Sequence, residues 1–150
     1  MNLDRITHSA DETIQLGREL ASQLQPPALI LLSGELGAGK TTFTKGLISG
    51  FGAAQEDEVT SPTFTLVHTF KNHVRVFHID LYRITNLQDF ETLGIEDLFD
   101  RPAIVIIEWP ERMGFRAGWP TLRINFSHLD ESSRSISIRT EPLSLSSPQE

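Results

Sequence analysis

A glycine-rich loop of the phosphate-binding type is the clearest chemical signal in this sequence. Residues 34–41, GELGAGKT, match the full pattern G-x-x-x-x-G-K-[ST]. Gly37 and Gly39 permit backbone torsions and a close approach to an anion that a side chain would prevent. The backbone amides here can surround one anion at the positive end of the helix that follows. The predicted phosphate contacts are Gly37, Ala38, Gly39, Lys40, Thr41 and Thr42.

The same loop supplies groups for a nucleotide and its metal ion. Lys40 offers a mobile positive charge for the β and γ phosphates. The Thr41 hydroxyl is placed for Mg²⁺, an ion that takes few protein ligands. The N-K-x-D motif that reads guanine in small GTPases does not occur in the sequence. The pattern therefore predicts ATP and Mg²⁺ as cofactors, with ATP favoured over GTP.

A phosphate-binding loop also needs a carboxylate near the magnesium, usually at the end of a neighbouring strand. Glu108 ends the continuous apolar run Ala103–Ile107, which is typical of a parallel strand buried on both faces. Asp80 ends the more mixed run Val74–Ile79, which we expect to be antiparallel. We predict that Glu108 serves magnesium together with Thr41. Asp80 is then expected to meet the magnesium shell or the attacking water.

The neighbours of these carboxylates leave alternatives open. Either carboxylate could instead cap a helix or form an ion pair with Arg83 or Arg112. His78 shares the strand face of Asp80, so contact with the site is possible. The favoured interpretation of His78 is nevertheless a half-buried strand histidine.

Other segments have a functional and a structural interpretation. Residues 60–63, TSPT, could close over the γ-phosphate or form a plain turn that enters a strand. Trp109 adjoins Glu108 and could flank the nucleotide or a partner. Arg134 could reach the base or ribose, although a solvated surface arginine is favoured.

Composition excludes several other kinds of site. The 150 residues carry a net charge of −7, which argues against a free-standing nucleic-acid binder. No cysteine is present, so disulfide partners, zinc–thiolate sites and cysteine nucleophiles are excluded. The longest apolar run, Ala28–Leu32, is too short to cross a bilayer, and the first residues do not resemble a secretory signal. We expect a cytoplasmic protein without a membrane partner.

The elements that position these residues form one α/β domain. We predict a phosphate-loop NTPase-like domain over residues 1–140, with a mixed sheet flanked by helices, and a frayed tail at 141–150 that is rich in Ser and Pro. A capping box at Ser9–Glu12 begins a helix that Pro26–Pro27 ends, and Ala28–Leu32 is the buried strand before the loop. The first helix is expected to use Ile14, Leu20, Ala21 and Leu24 as its apolar face. The other predicted elements are a strand at Leu3–His8, a helix over 41–49 that buries Phe43, Leu47 and Ile48, a hairpin of Phe64–Phe70 and Val74–Ile79, a short helix from Asn86, and strands at Leu122–Phe126 and Ser135–Arg139.

With these motifs in order, the chain closely resembles the TsaE family, the bacterial ATPases of tRNA threonylcarbamoyladenosine synthesis. The resemblance runs from about Ser9 to Arg139. Its stretches are GELGAGKTT at 34–42, SPTFTLV at 61–67, HIDLYR at 78–83 and IEWPE at 107–111. The phosphate loop alone is generic, whereas the last two stretches in this order are specific.

The resemblance implies a role and a set of partners. It implies weak ATP hydrolysis by the isolated chain and a complex with TsaB- and TsaD-type proteins. In that complex TsaD would transfer threonylcarbamoyl to adenosine 37 of tRNAs that read codons beginning with A. The TsaE-like subunit would activate or reset the complex through its ATP cycle. The acidic charge agrees with a tRNA held mainly by the partners.

The resemblance also implies roles for particular residues. Lys40 would bind phosphate, Thr41 and Glu108 would serve magnesium, and Asp80 would lie at the catalytic end, so Lys40, Asp80 and Glu108 are the expected catalytic residues. Residues 60–63 would act as a switch-like loop. The family's N-terminal segment near the adenine corresponds here to Asp11–Thr13, with Asp11 and Thr13 as the expected contacts. The chain departs from the family at Phe64, where many relatives carry Tyr.

Two other functions remain open at this point. A nucleotide-dependent interaction module would use bound ATP to hold an interface closed, with little turnover. A small-molecule kinase would transfer phosphate to an acceptor. The kinase is disfavoured because 150 residues leave little room for a lid and a second substrate pocket.

Overall fold

In the part of the chain that the structure describes, one mixed sheet of seven strands has the order β1-β7-β6-β2-β5-β4-β3. The computed structural model describes residues 2–35, 37–52, 64–65, 74–82, 88, 91, 94–112 and 118–141. Along the chain these contain β1 (Asn2–Thr7), α1 (Ala10–Ala21), β2 (Ala28–Gly34), α2 (Lys40–Gly50), β3 (Phe64–Thr65), β4 (Val76–Asp80), β5 (Ile104–Glu108), β6 (Thr121–His128) and β7 (Arg134–Glu141). Two 3₁₀ segments lie at Ile95–Asp100 and Pro110–Arg112. The predicted α/β fold with a mixed sheet is confirmed.

The phosphate-loop strand occupies the middle of the sheet. β2 pairs in parallel with β5 on one side and with β6 on the other. β4 continues the parallel part beside β5, whereas β1, β7 and β6 are linked by antiparallel pairs. All five residues of both β4 and β5 are buried. The carboxyl ends of β2, β4 and β5 therefore open at the same edge of the sheet, where ligands bind in open α/β folds.

The expectation that the strand ending at Asp80 is antiparallel is wrong on one side. β4 is antiparallel to the short β3 but parallel to β5, and this register makes Asp80 the Cα partner of Glu108. The mixture of polar and apolar residues in β4 does not mark an antiparallel strand. It arises because His78 and Asp80 are polar residues that are buried on a strand inside the sheet. The predicted hairpin is confirmed for the pairs that join β3 to β4.

Two apolar clusters cover the two faces of the sheet. On one face α1 and α2 pack on alternate strand residues, including Phe43 and Leu47 of α2 against Ile30 and Ile106 of the sheet. The other face buries Leu29, Leu31, Phe77, Ile79, Val105 and Ile107 with Ile95 of the 3₁₀ segment. Because successive strand side chains point to opposite faces, the continuous apolar runs of β2 and β5 feed both clusters.

The first helix begins as predicted but ends earlier. The Ser9 hydroxyl accepts from the Glu12 amide at 3.1 Å, and the Glu12 carboxylate accepts from the His8 amide at 2.7 Å. The helix ends at Ala21, before the two prolines. Its buried face consists of Thr13, Leu16, Gly17, Leu20 and Ala21, while Ile14 and Leu24 are only partly buried. The apolar spacing did not identify Gly17 as part of this face. Gly17 packs against α2, and a Cβ there would lie 2.5 Å from the Phe43 carbonyl oxygen, so no larger residue fits.

The remaining elements agree closely with their predictions where they are described. α2 buries the expected Phe43, Leu47 and Ile48, and the predicted strands near the end of the chain are β6 and β7. The short helix from Asn86 falls largely outside the described residues, as does the tail at 142–150. The division into a domain over 1–140 and a tail at 141–150 stays a prediction, although Glu141 belongs to β7. Within the described ranges, no helix is long and apolar enough to cross a membrane.

Candidate functional site

The phosphate loop joins the end of β2 to the start of α2 through backbone torsions that favour glycine. The φ angles of Gly34, Gly37 and Gly39 are 148°, 76° and 107°. A Cβ at Gly34 would lie 2.7 Å from the Phe126 carbonyl oxygen, so this glycine is also required for space. At Gly39 a Cβ would meet only ordinary contacts, and there the torsion alone imposes glycine.

A cavity of about 410 Å³ opens above this loop, at the N-terminus of α2. Its volume lies within the range of small-molecule sites. Gly37, Gly39, Lys40, Thr41 and Thr42 line it, as predicted for phosphate contacts. Ala38 does not line the cavity, because its side chain is fully buried and its amide donates to the Glu35 carbonyl at 3.0 Å.

Lys40 lies at the base of the cavity, with its ammonium held inside the protein. The residue is only 5% exposed, and Nζ donates to the Gly34 carbonyl oxygen. Nζ also lies 3.9 Å from the centroid of the Trp109 ring. Burial lowers the pKa of the Lys40 ammonium, although the carboxylates of Glu108, Asp80 and Glu111 act in the opposite direction. The Lys40 ammonium therefore contacts protein groups, the Gly34 carbonyl and the Trp109 ring, whose place a bound phosphate would take.

The two predicted carboxylates come together at the cavity wall. Asp80 and Glu108 are buried and occupy paired positions on β4 and β5. The Thr41 hydroxyl lies 3.5 Å and 3.4 Å from the two Glu108 carboxylate oxygens, longer than an ordinary O–H···O bond. One Asp80 oxygen accepts from the Tyr82 amide at 2.9 Å.

These oxygen donors fit a magnesium ion of the kind that nucleotides bring. A hydroxyl and a carboxylate that face each other are hard ligands, and Mg²⁺ in such sites keeps waters and takes few protein ligands. In the part of the chain that the structure describes, no three His, Asp or Glu side chains are grouped to hold a metal. Thr41 and Glu108 would thus hold Mg²⁺ only in company with phosphate oxygens and water.

His78 lies beneath Glu108 and is more than a half-buried strand residue. Its side chain is 1% exposed, and Nε2 lies 2.7 Å from Oε2 of Glu108. The interpretation favoured from the sequence is therefore wrong about both burial and contact. The signal that could have identified this contact was the shared strand face of His78 and Asp80, but the parallel alignment of β4 with β5 was needed to use it.

The far wall of the cavity joins the start of α1 to the loop between β6 and β7. Ser9, Ala10 and Thr13 line it from one side, and Glu131, Ser132 and Arg134 from the other. The predicted contact Asp11 is exposed on α1 and is not among the lining residues. The Thr13 hydroxyl lies 2.7 Å from the Thr7 hydroxyl, so it is already engaged within the protein.

Arg134 connects the β6–β7 loop to the phosphate loop. Its Nη1 donates to the carbonyls of Asp130, Glu131 and Ser133 at 3.1–3.2 Å. Nη2 donates to the Gly37 carbonyl at 3.4 Å. Arg134 is thus a structural bridge on the cavity wall rather than the solvated arginine that the sequence favoured.

Trp109 holds an unusual backbone conformation directly after Glu108. Its φ is 63°, in the left-handed region that bulky residues rarely adopt, and its amide donates to the Leu32 carbonyl at 3.2 Å. The ring contacts both Lys40 and Tyr82, with 5.0 Å between the Trp109 and Tyr82 centroids. Such strained residues concentrate at functional sites. The predicted loop at 60–63 and the alternative partner Arg83 lie outside the described residues, and so does the side chain of Arg112.

Comparison with known proteins identifies the family and agrees with the fold. The family model "Threonylcarbamoyl adenosine biosynthesis protein TsaE" matches residues 7–136. The chain belongs to the TsaE family. The resemblance drawn from the motifs is confirmed, and the family match spans the phosphate loop, both carboxylates and Arg134.

Individual TsaE relatives extend over most of the chain. The protein named tRNA threonylcarbamoyladenosine biosynthesis protein TsaE from Treponema pallidum is 33% identical over 133 residues, which is 89% of this chain and 97% of the relative. The one of the same name from Nostoc sp. is 36% identical over 149 residues, covering 92% of this chain and 88% of the relative. The crystal structure of YdiB from Bacillus subtilis superposes with a TM-score of 0.67 at 26% identity, over 92% of this chain and 84% of that one.

Proposed function

We propose that this chain is the ATP-binding and ATP-hydrolysing subunit of tRNA threonylcarbamoyladenosine biosynthesis. The observation that carries the proposal is the convergence of Lys40, Thr41, Asp80 and Glu108 on one cavity at the end of the phosphate-loop strand. Membership of the TsaE family supplies the pathway. The weak Mg²⁺-dependent ATPase activity and the complex with TsaB- and TsaD-type proteins belong to this proposal.

The chain's own residues account for nucleotide binding. The amides at the start of α2 and the Lys40 ammonium neutralise the phosphate charge, and Lys40 exchanges the Gly34 carbonyl for phosphate oxygens. Thr41 and Glu108 would hold Mg²⁺, which when bound polarises the phosphate oxygens. The base and ribose occupy the far wall, against Thr13 and Arg134. Asp11 has no part in this proposal because it lies off the cavity.

Asp80 is the group that we assign to the attacking water. Its carboxylate lies at the cavity wall, and the Tyr82 amide fixes one of its oxygens. A positioned carboxylate can orient water or accept its proton. Hydrolysis by the isolated chain is expected to be slow, because an arginine supplied by a partner accounts for about 10³–10⁵ in rate in related NTPases. In this scheme TsaD performs the transfer to tRNA, the partners hold the tRNA, and the ATP cycle activates or resets the complex.

Phosphate release from Mg·ATP tests the proposal. It is measured for the chain alone and with the TsaB–TsaD pair, using Lys40→Ala as the disabled variant. Lys45→Ala is the matched control, because Lys45 lies on the same helix but outside the cavity. We expect a rate that rises with the pair in the unsubstituted chain and in Lys45→Ala but not in Lys40→Ala.

Three results would contradict this assignment. Full tRNA modification with Lys40→Ala would show that nucleotide chemistry at this cavity is dispensable. Multiple rounds of modification with a non-hydrolysable ATP analogue would favour the interaction module. Transfer of labelled phosphate to a small acceptor, rather than its release as free phosphate, would favour the kinase.

A further inference from the structure

His78 and Glu108 form a buried pair at the base of the cavity wall. Nε2 and Oε2 are 2.7 Å apart, and the side chains are 1% and 2% exposed. A separation this short is typical of a hydrogen bond to an ionised acceptor. With Glu108 ionised, as the proposed magnesium ligand must be, its oxygens can only accept, so Nε2 is the donor. The pair is thus a directed bond from the imidazole ring to one oxygen of Glu108.

The sheet fixes the donor in place. Asp80 and Glu108 are Cα partners on the parallel strands β4 and β5, and His78 is paired with Ile106. The His78 ring therefore reaches diagonally across the two strands to Glu108. Both strands lie inside the sheet and are buried along their length, so the ring has little freedom to turn away.

Glu108 needs such a constraint because other groups attract it. Its carboxylate faces the Thr41 hydroxyl at 3.4–3.5 Å, the arrangement that suits a shared metal ion. It also interacts electrostatically with the Lys40 ammonium. A glutamate side chain has several staggered rotamers available, so its carboxylate needs a second contact to stay directed toward Thr41.

The second ring nitrogen also points to a role for the pair. Nδ1 of His78 is buried and has no hydrogen-bond partner among the described residues. A buried polar atom left unsatisfied costs free energy, so an apolar residue would suit this position better if packing were its only task. Among the described residues, the bond from the His78 ring goes to Glu108 alone.

We propose that His78 is a positioning residue that holds the Glu108 carboxylate toward Thr41, in the orientation that receives the magnesium ion of the bound nucleotide. The inference rests on the proposed function, since it assigns a supporting group to the same site. Groups that orient a metal-binding carboxylate typically affect metal affinity about 10–100-fold. Loss of the His78 ring should therefore weaken the binding of magnesium and leave the nucleotide contacts of the phosphate loop unaltered.

Two substitutions at His78 test this assignment. His78→Leu removes the donor while keeping an apolar volume, and His78→Gln keeps an amide N–H near the place of Nε2. Affinity for a fluorescent ATP analogue is measured in EDTA and then across a Mg²⁺ titration. We expect His78→Leu to retain its affinity in EDTA within about twofold but to need about tenfold more Mg²⁺ for the same gain in affinity. His78→Gln should recover most of that loss.

Ile106→Val is the matched control. Ile106 is the buried Cα partner of His78, and its apolar side chain makes no hydrogen bond to Glu108 or Thr41. It should lower thermal stability without changing the magnesium requirement. An equal magnesium defect in Ile106→Val, or no rescue by His78→Gln, would show that His78 acts only through packing and would overturn the inference.

A spectroscopic measurement on the unsubstituted chain covers the case in which His78→Leu does not fold. The ¹⁵N resonances of the His78 ring should report the Nε2-protonated tautomer and should shift when Mg²⁺ joins the ATP-bound chain. Ring resonances that do not change would overturn this inference and leave the proposed function intact. Absence of any magnesium dependence of ATP binding in the unsubstituted chain would instead overturn the proposed function, and this inference with it.

Discussion

Replacing Gly46 by alanine tests how tightly the two helices beneath the cavity are joined. Gly46 lies on α2 against α1, and a Cβ there would lie 2.0 Å from the Ile14 carbonyl oxygen and 3.1 Å from the Gly17 Cα. Ordinary contact begins at 3.4 Å, so the helices must separate by about 1.4 Å if neither is distorted. The obstructing atoms belong to backbone, which cannot rotate away as the end of a side chain can.

Two opposing effects determine the size of the change. Alanine is favoured over glycine within a helix by about 1 kcal/mol, which would stabilise α2. Overpacking a well-filled interface usually costs about 1–3 kcal/mol and sometimes more, and a clash with a carbonyl belongs at the upper end. We therefore expect the free energy of unfolding to fall by about 2 kcal/mol. For a chain of 150 residues this lowers Tm by about 4–8 °C.

Urea unfolding and thermal melts of Gly46→Ala measure the effect directly. Gly118→Ala is the matched control, because a Cβ at Gly118 would meet no atom within 4 Å. The control should be neutral or slightly more stable, since alanine restricts the unfolded chain. The ATP affinity of Gly46→Ala should also fall, because α1 carries Thr13 and α2 carries Lys40 on opposite sides of the cavity. A variant as stable as the unsubstituted chain would refute the reasoning.

Three further predictions concern a helix cap and two titrating groups. Ser9→Ala removes the hydroxyl that accepts from the Glu12 amide and should lower stability by about 1 kcal/mol, seen as a lower urea midpoint with an unaltered slope. Burial lowers the folded-state pKa of Lys40 below its ordinary 10.5, so the unfolded chain binds more protons as pH approaches 10.5. The free energy of unfolding of the unsubstituted chain should therefore rise relative to that of Lys40→Met as pH rises toward 10.5, and a difference that stays constant from neutral pH up to 10.5 would contradict the assignment. Hydrogen bonds from the Ser133 and Ser132 amides hold the pKa of the Asp130 carboxyl below its ordinary 3.8. The stability that these bonds give should be fully present above pH 3.8 and be lost as pH falls through the folded-state pKa. An NMR titration of the Asp130 carboxyl carbon measures that pKa.

The strand, loop and helix that carry the phosphate site could be predicted because their signals are local. The run Ala28–Leu32, the glycines of the loop and the buried face of α2 are each encoded within a few residues. Asp80 and Glu108 could be chosen because each ends a strand-like run. Their position at the cavity wall agrees with the prediction, while their chemical roles stay proposals.

What could not be predicted depends on which strands become neighbours. The bond between His78 and Glu108 requires β4 to lie parallel to β5, a pairing that no local pattern of β4 specifies. The sequence favours a surface position for Arg134, because its bond to the Gly37 carbonyl joins residues that are distant in sequence and leaves no local pattern. The glycine contact between α1 and α2 was missed for a related reason. Apolar periodicity detects side chains that fill space, not positions where a side chain must be absent.

The central place of β2 has a consequence for the order in which this site comes into being. During synthesis the phosphate loop is made early, yet both strands that pair with β2 follow much later, β5 from Ile104 and β6 from Thr121. The nascent chain therefore carries an apolar, unpaired strand until β5 is made, the kind of segment that chaperones protect. Long-range pairing of this kind also slows folding. Because Arg134 at the start of β7 completes the cavity wall, retention of ATP by a growing chain would report that synthesis has reached β7.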